Sequence, residues 1–311
     1  MKQDPILVTG IDGLIGGAVA RRLAAAGRKV VGMDRTSRPG LAFDQITHDL
    51  PDPHRWHEAI VKFGIRKVVH AGGISGPMLM QDAPDRIFQI NAVGLAGLLE
   101  AARIHRLDRV VGFSSVMAYG SHPRLPVVTE DMPLMPETVY GATKAAGDAL
   151  ICAYRAQHGL DAVSLRVAGC YGPGRTTPCI IRTLIEDGLA GRTTRLREDP
   201  TQTRQFIFID DVVDAVCSAL DAPEMAPLPS YNIGPGVTHG LDEILRAVCQ
   251  SVPNANAVAD PNGLPWNAFG IGTLSIDAAR RDLSFAPRVS LADGARATLA
   301  WLHPDGKPDG T

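Results

Sequence analysis

An apolar run that breaks into glycines three residues apart, Ile6-Leu7-Val8-Thr9-Gly10-Ile11-Asp12-Gly13-Leu14-Ile15-Gly16, restricts what this chain can fold into more than any other stretch. Ile6 to Val8 read as a buried parallel strand, and Ala18, Leu23 and Ala24 follow at helical spacing, so the glycines fall at a strand-to-helix turn. In that setting Gly10 permits the tight turn, Gly13 keeps side-chain bulk away from a pyrophosphate, and Gly16 lets helix and strand pack closely. The anion would rest on the unpaired N–H groups of the first helical turn, around Leu14 and Ile15. Without its context a glycine triplet would equally be a plain turn; with it, the stretch reads as a dinucleotide site.

With 311 residues, 45% hydrophobic and 21% charged, the chain can bury a substantial core and should form one large or two modest domains. A formal net charge of -2 argues against a nucleic-acid or membrane-surface partner. The cysteines, Cys152, Cys170, Cys179, Cys217 and Cys249, are odd in number and lack CxxC spacing, which suits free thiols in a reducing cytoplasm. No apolar run approaches the roughly twenty residues that cross a bilayer. Asp4 and Asp12 interrupt the N-terminal apolar segment, so it is expected to be mature structure rather than a signal peptide.

Further along, Arg28 to Met33 reads as a second buried strand ending in Asp34. An acidic residue about twenty positions past the glycines of a Rossmann unit accepts hydrogen bonds from the adenosine ribose and repels a 2'-phosphate. Asp34 therefore favours NAD, although Arg35 and Arg38 keep NADP in view. Val68-Val69-His70-Ala71-Gly72-Gly73 is another strand entering a small-residue loop, with His70 expected to be a hydrogen-bonded buried histidine. Asn91 should open a helix through Arg103, and Arg109 to Phe113 should be the next strand, ending in Ser114-Ser115. A helix past Tyr140 through Ala156 and a strand at Ala162 to Val167 continue the alternation. This order implies a doubly wound parallel sheet with ligand at the carboxyl ends of its strands.

From Gly169 to Arg204 proline, glycine, threonine and arginine accumulate, as in a lid. Gln205 to Ile209 is again strand-like, Asp210-Asp211 should cap a helix through Leu220, and Tyr231-Asn232-Ile233-Gly234 should return to the sheet. The expected division is a Rossmann domain over 1–168, with a return segment near 205–235, and a smaller C-terminal substrate-binding domain over 169–204 and 236–311. Pro261 to Gly272 reads as a loop, and His303 to Thr311 as a disordered tail. His54, His57 and Glu58 lack a third well-spaced metal ligand and read as a solvated helix start; no metal is expected.

Tyr140 and Lys144, four residues apart, share a helix face. A tyrosine is a poor base at neutral pH, but a fixed cation nearby favours its phenolate. It could then take the proton of a substrate hydroxyl while the carbinol hydride leaves for a nicotinamide.

Taken together, Thr9-Gly10-x-x-Gly13-x-x-Gly16, Asp49-Leu50 after the second helix, Asn91 with Leu98 to Ala102, Ser114 to Gly120, Tyr140 to Lys144, Arg166 with Tyr171-Gly172-Pro173, Arg204-Gln205-Phe206 and Tyr231 to Gly234 occur in one order. In these motifs the chain resembles the extended short-chain dehydrogenases/reductases, the NAD-dependent epimerase/dehydratase family, over nearly its whole length. The resemblance implies that Ser115 steers the reacting oxygen, with Ser114 the lesser choice, that Tyr140 is the acid/base, and that Lys144 holds the nicotinamide ribose and tunes Tyr140. It places Asp49 and Leu50 beside adenine, Ala71 and Gly72 near the pyrophosphate, and Asn91 in the cofactor cleft. A homodimer through helices near Asn91 to Arg103 and Tyr140 to Ala156 is implied as well.

Two departures narrow the reaction. Where the family's dehydratases follow the serine position with an acid and a base, this chain has Val116 and Met117, which cannot transfer a proton. Where its nucleotide-sugar epimerases carry the diphosphate-binding asparagine, three positions after Arg166, it has Gly169. Arg204 and Arg175, with Ser75, are candidates to hold an anionic carbohydrate. The expectation is a nucleotide-sugar 4-epimerase, with a dehydrogenase of a free sugar or sugar acid, or an idle dinucleotide sensor, as alternatives.

Overall fold

The inner strands of the central sheet are apolar on both faces because helices cover both. In the computed structural model, which describes residues 4–197, 203–265 and 270–304, Leu7 of the first strand packs into one buried cluster while its neighbours Ile6 and Val8 pack into another. Strand alternation alone divides them.

The chain opens β1(Ile6–Thr9), α1(Leu14–Ala25), β2(Val30–Asp34), β3(Asp44–Thr47), α2(Pro53–Phe63) and β4(Lys67–His70). A helical stretch follows: α3(Pro84–Phe88), a π-helical turn over Gln89–Val93, and α4(Gly94–Ile104). Then come β5(Arg109–Ser115), β6(His122–Val128), α5(Val139–His158), β7(Ala162–Val167), β8(Gly169–Tyr171), α6(Ile180–Leu189), β9(Thr194–Arg197), β10(Phe206–Phe208), α7(Ile209–Asp221) and β11(Ser230–Ile233). The last part holds α8(Leu241–Cys249), β12(Ala257–Ala259), β13(Leu264–Pro265), β14(Ile271–Leu274), α9(Asp277–Leu283) and α10(Leu291–Leu302).

Seven strands form one parallel sheet in the order β11-β7-β5-β4-β1-β2-β3. The order reverses at β1, so the carboxyl ends of β1 and β4 flank the crevice where such sheets bind ligands. Val19 and Leu23 of α1 and Val212 and Val216 of α7 cover one face; Trp56 and Ile60 of α2, Leu98 and Leu99 of α4, and Ile151 of α5 cover the other. The expected doubly wound α/β architecture is what forms. Short parallel ladders lie outside this sheet: β8 with β10, β12-β9-β13, and β6 with β14.

Several expectations change. Asp49 and Leu50 precede the second helix, because a strand absent from the sequence reading, β3, follows β2 and pairs with it. The helix assigned from Asn91 begins at Pro84, seven residues earlier, and Asn91 lies inside the π turn. That continuous stretch, Pro84–Ile104, spans 21 residues with hydropathy 1.3, so a segment long and apolar enough to cross a membrane does occur; 56% of its most apolar window is buried inside the protein, as in a core helix. The strand near Gln205 pairs with β8 and not with the central sheet. Asp210 and Asp211 occupy the first turn of α7, and Phe208 is its N-cap. Asp211 instead accepts the backbone N–H groups of Arg288 and Val289, at 2.8 and 3.2 Å, and so fastens the C-terminal segment. The region expected as a loop at Pro261 to Gly272 contributes β13 and the start of β14. Of the tail expected to be disordered, residues 305–311 lie outside the described residues.

Candidate functional site

Above the carboxyl end of β1, Gly10 takes φ +69°, a left-handed conformation that only glycine adopts freely. A Cβ there would stand 2.7 Å from the Ala71 carbonyl oxygen and the Gly72 nitrogen, and one on Gly16 would stand 2.2 Å from the Gly10 carbonyl oxygen. A Cβ on Gly13 would meet only that carbonyl, at 3.2 Å, so space opens over the turn. No side chain caps the N-terminus of α1, which leaves its first N–H groups directed at that space. This cradle, closed to side chains below and open above, fits the pyrophosphate of a dinucleotide.

Thr9 ties the two neighbouring strand ends together. Its hydroxyl accepts the Gly72 N–H at 2.9 Å and bonds the Nδ1 of His70 at 3.0 Å. His70 is thus the buried, hydrogen-bonded histidine expected; it stands edge-on to Trp56, and burial pushes its pKa down to about 3. Leu50 packs close beside Gly72, whose added Cβ would lie 3.2 Å from the Leu50 Cδ1, while Asp49 is exposed. Asn91 is fully engaged: its carbonyl oxygen accepts the Ile74 N–H at 2.8 Å, and its NH2 donates to the Ile74 carbonyl and the Thr143 hydroxyl, both at 3.1 Å. It braces the loop after β4 against α5, with its amide turned to protein rather than to the crevice.

At the tip of β2 the Asp34 carboxylate accepts the Asp12 N–H at 2.9 Å and the Arg35 N–H at 2.7 Å. The strand end and the glycine turn are therefore hydrogen-bonded to each other.

Ser115 ends β5, and a 3-10 turn, Val116–Ala118, follows. Helix α5 starts against that turn: Thr138 caps it by accepting the Gly141 N–H at 3.0 Å, and a Cβ on Gly141 would stand 2.4 Å from the Met117 carbonyl oxygen. The absence of a side chain at Gly141 is what lets the start of α5, with Tyr140, pack against that turn. Burial pushes the Tyr140 pKa above its ordinary value, outweighing the neighbouring Ser115 side chain and the Arg175 charge, both of which favour the phenolate. The Lys144 ammonium donates to the Phe113 carbonyl at 3.0 Å and lies 5.8 Å from the Tyr140 ring centre. Burial lowers the Lys144 pKa to about 8, and a cavity of about 10 Å³ beside it is lined by His70, Asn91, Phe113, Thr143 and Ser164. Ser114 points the other way, donating to Asp148 at 3.0 Å.

The expected substrate residues are less gathered. Arg175 spends its guanidinium on the carbonyls of Cys170, Thr177 and Pro178, holding its own loop in shape. Arg204 exchanges backbone hydrogen bonds with His239, at 2.8 and 2.7 Å, and its Nη1 donates to the Thr203 carbonyl. Ser75 is exposed in the loop after β4. The sequence reading missed Thr9, Thr143 and Asp148. Asp148 carried a signal, since Tyr140, Lys144 and Asp148 recur every four residues along one helix.

The model of the NAD dependent epimerase/dehydratase family matches residues 6–234. UDP-glucose 4-epimerase of Mycolicibacterium smegmatis is 32% identical over 317 aligned residues, which cover 96% of this chain and 98% of that protein. The crystal structure of Thermus thermophilus UDP-glucose 4-epimerase in complex with NAD is similar with a TM-score of 0.84 and 27% identity, covering 97% of this chain and 99% of that one. That of Bacillus cereus UDP-glucuronic acid 4-epimerase with UDP-glucuronic acid and NAD is similar with a TM-score of 0.81 and 25% identity, covering 96% and 99%.

Proposed function

Because this chain belongs to the NAD dependent epimerase/dehydratase family, we propose that it is an NAD-using 4-epimerase of a nucleotide sugar. The observation that carries the reading is the uncapped glycine cradle at the carboxyl end of β1, on the same strand-end rim as Ser115 at the end of β5 and the buried Tyr140 at the start of α5. When bound, NAD supplies a hydride acceptor that can return the hydride to the sugar. Tyr140 takes the proton from the C4 hydroxyl as the carbinol is oxidised and gives it back on reduction; Ser115 holds the reacting oxygen in line. Lys144 holds the nicotinamide ribose, Asp34 its adenosine counterpart, and Asp49 and Leu50 flank adenine. Val116 and Met117 offer no acid or base, so water elimination has no catalyst here.

Residues 169–204 and 236–311 belong in this reading to a substrate-binding part, with Arg204 and Ser75 as contacts and Arg175 shaping the loop. The assembly is a homodimer through α4 and α5, and the enzyme is cytoplasmic.

One observation favours a second reading, a dehydrogenase of a free sugar or sugar acid. Gly169 begins β8 so close to β10 that a Cβ would meet the Gln205 carbonyl oxygen at 2.9 Å, leaving no room for the asparagine that nucleotide-sugar epimerases carry there.

The purified protein should carry NAD through gel filtration, released on denaturation, and should interconvert UDP-sugars at C4 without net NADH. Arrival without nucleotide, together with NADH production from aldonates or uronates, would overturn the epimerase reading. Tyr140→Phe should lower turnover by about a thousandfold or more while NAD content persists; near-normal turnover would remove Tyr140 from its role.

A further inference from the structure

The chain presents both an acid that disfavours a 2'-phosphate and two arginines, Arg35 and Arg38, that would welcome one. The structure resolves this conflict at a residue outside the expected site. Asp12, in the middle of the glycine turn, reaches across to the segment after β2. Its carboxylate accepts the Thr36 hydroxyl at 2.8 Å and pairs with the Nε of Arg38 at 2.6 Å. The Arg38 backbone is held from the other side, its N–H donating to the Gln45 side chain at 2.8 Å while its carbonyl accepts the Gln45 NH2. The Asp12 side chain is 18% exposed and the Arg38 side chain 61%, so the acid is the fixed member and the arginine the one drawn in.

Building on the dinucleotide site above, we propose that Asp12 is a cofactor-specificity residue: it holds Arg38 at the glycine turn, neutralises it, and thereby denies a 2'-phosphate one of the two nearby guanidinium groups that could bind it, so that Asp12 and Asp34 disfavour NADP together. Only one end of NADP differs from NAD, the phosphate on the adenosine ribose, and a dianion there is bound mainly by guanidinium groups free to fork onto it. Arg38 is the right group in the right segment, and its charge is already matched. Removing the match converts an excluding surface into an accepting one without building any new side chain.

The test is a titration of NAD+ and NADP+ against the full-length protein freed of nucleotide, read by quenching of intrinsic fluorescence, and so independent of turnover. Asp12→Asn should raise NADP+ affinity about tenfold and change NAD+ affinity by less than threefold. In Asp12→Asn/Arg38→Ala most of the NADP+ gain should vanish, because the gain runs through the released guanidinium. Unchanged NADP+ affinity in Asp12→Asn, or a gain that survives loss of Arg38, would overturn the proposal. Arg38→Ala alone gives a second readout should Asp12→Asn fold poorly. In the otherwise unaltered chain it should leave NADP+ affinity within twofold, since Arg38 is already engaged; a drop of fivefold or more would show Arg38 serving the phosphate directly and would refute the proposal. If the unaltered chain binds neither dinucleotide, it is the dinucleotide site that fails, not the role of Asp12.

Discussion

His70 holds its place as a neutral imidazole, and its environment attaches a pH dependence to the fold. Its pKa falls from 6.5 to about 3 because burial, and then the Lys144 charge, penalise the imidazolium. Below pH 6.5 the unfolded chain binds a proton that the folded chain refuses, so stability is lost as the pH falls from 6.5 towards 3. Denaturant unfolding at pH 7 and pH 4 should show this group alone withdrawing about 3 kcal/mol. In His70→Asn that increment should be missing; an equal acid loss in both proteins would remove His70 from the account. The same residue marks how far single residues can be read in advance. Its burial and hydrogen bonding follow from its place at the end of an apolar strand, whereas its partner, Thr9, does not, because a threonine before a glycine turn has no distinctive pattern. The Lys144 hydrogen bond escapes notice for a related reason: sequence spacing places the ammonium on one helix face with Tyr140 but does not show that the Phe113 carbonyl accepts from it.

At the scale of elements, the π turn at Gln89–Val93 is the feature the periodic pattern conceals. One extra residue in a helical turn shifts the apolar phase, so the segment from Pro84 reads as loop and the helix is expected to begin only at Asn91. The turn directs Asn91 onto the loop after β4, with both Ile74 backbone groups and Thr143 satisfied by one side chain. Asn91→Ala should therefore destabilise the protein by about 2–3 kcal/mol, the cost of leaving buried amide groups unpaired. Amide hydrogen exchange should localise the loosening to Ile74; uniform protection across the loop would contradict the bracing role. Strand β3 escapes notice because Asp44-Gln45-Ile46-Thr47 sits at the sheet edge and is only partly buried, so it lacks the apolar run by which the inner strands are recognised.

Across the whole molecule, one buried polar network joins parts of the chain far apart in sequence. Asp148 of α5 pairs with Arg166 of β7 at 2.7 Å and also accepts the hydroxyls of Ser114 and Ser164; Arg166 continues to Tyr119 and the Glu130 carbonyl, and Tyr119 donates to Asn232 of β11. Removing one charge of a buried pair strands the other, so Asp148→Asn should cost about 3–5 kcal/mol in denaturant unfolding, and Asp148→Leu/Arg166→Met distinctly less than the sum of the single changes. Additive costs would show the pair to be uncoupled. The fold class, the sheet and the glycine turn are legible because regular alternation and short-range motifs record them. This network is not, since its members are brought together only by the finished topology. That topology sets the order of synthesis as well. The outer neighbour of β7 is β11, more than sixty residues later in the chain, so a nascent polypeptide must leave the ribosome past Ile233 before that flank is covered. Until then a bare hydrogen-bonding edge faces the cell, and chains that stall or are cut short of it are the ones expected to need a chaperone.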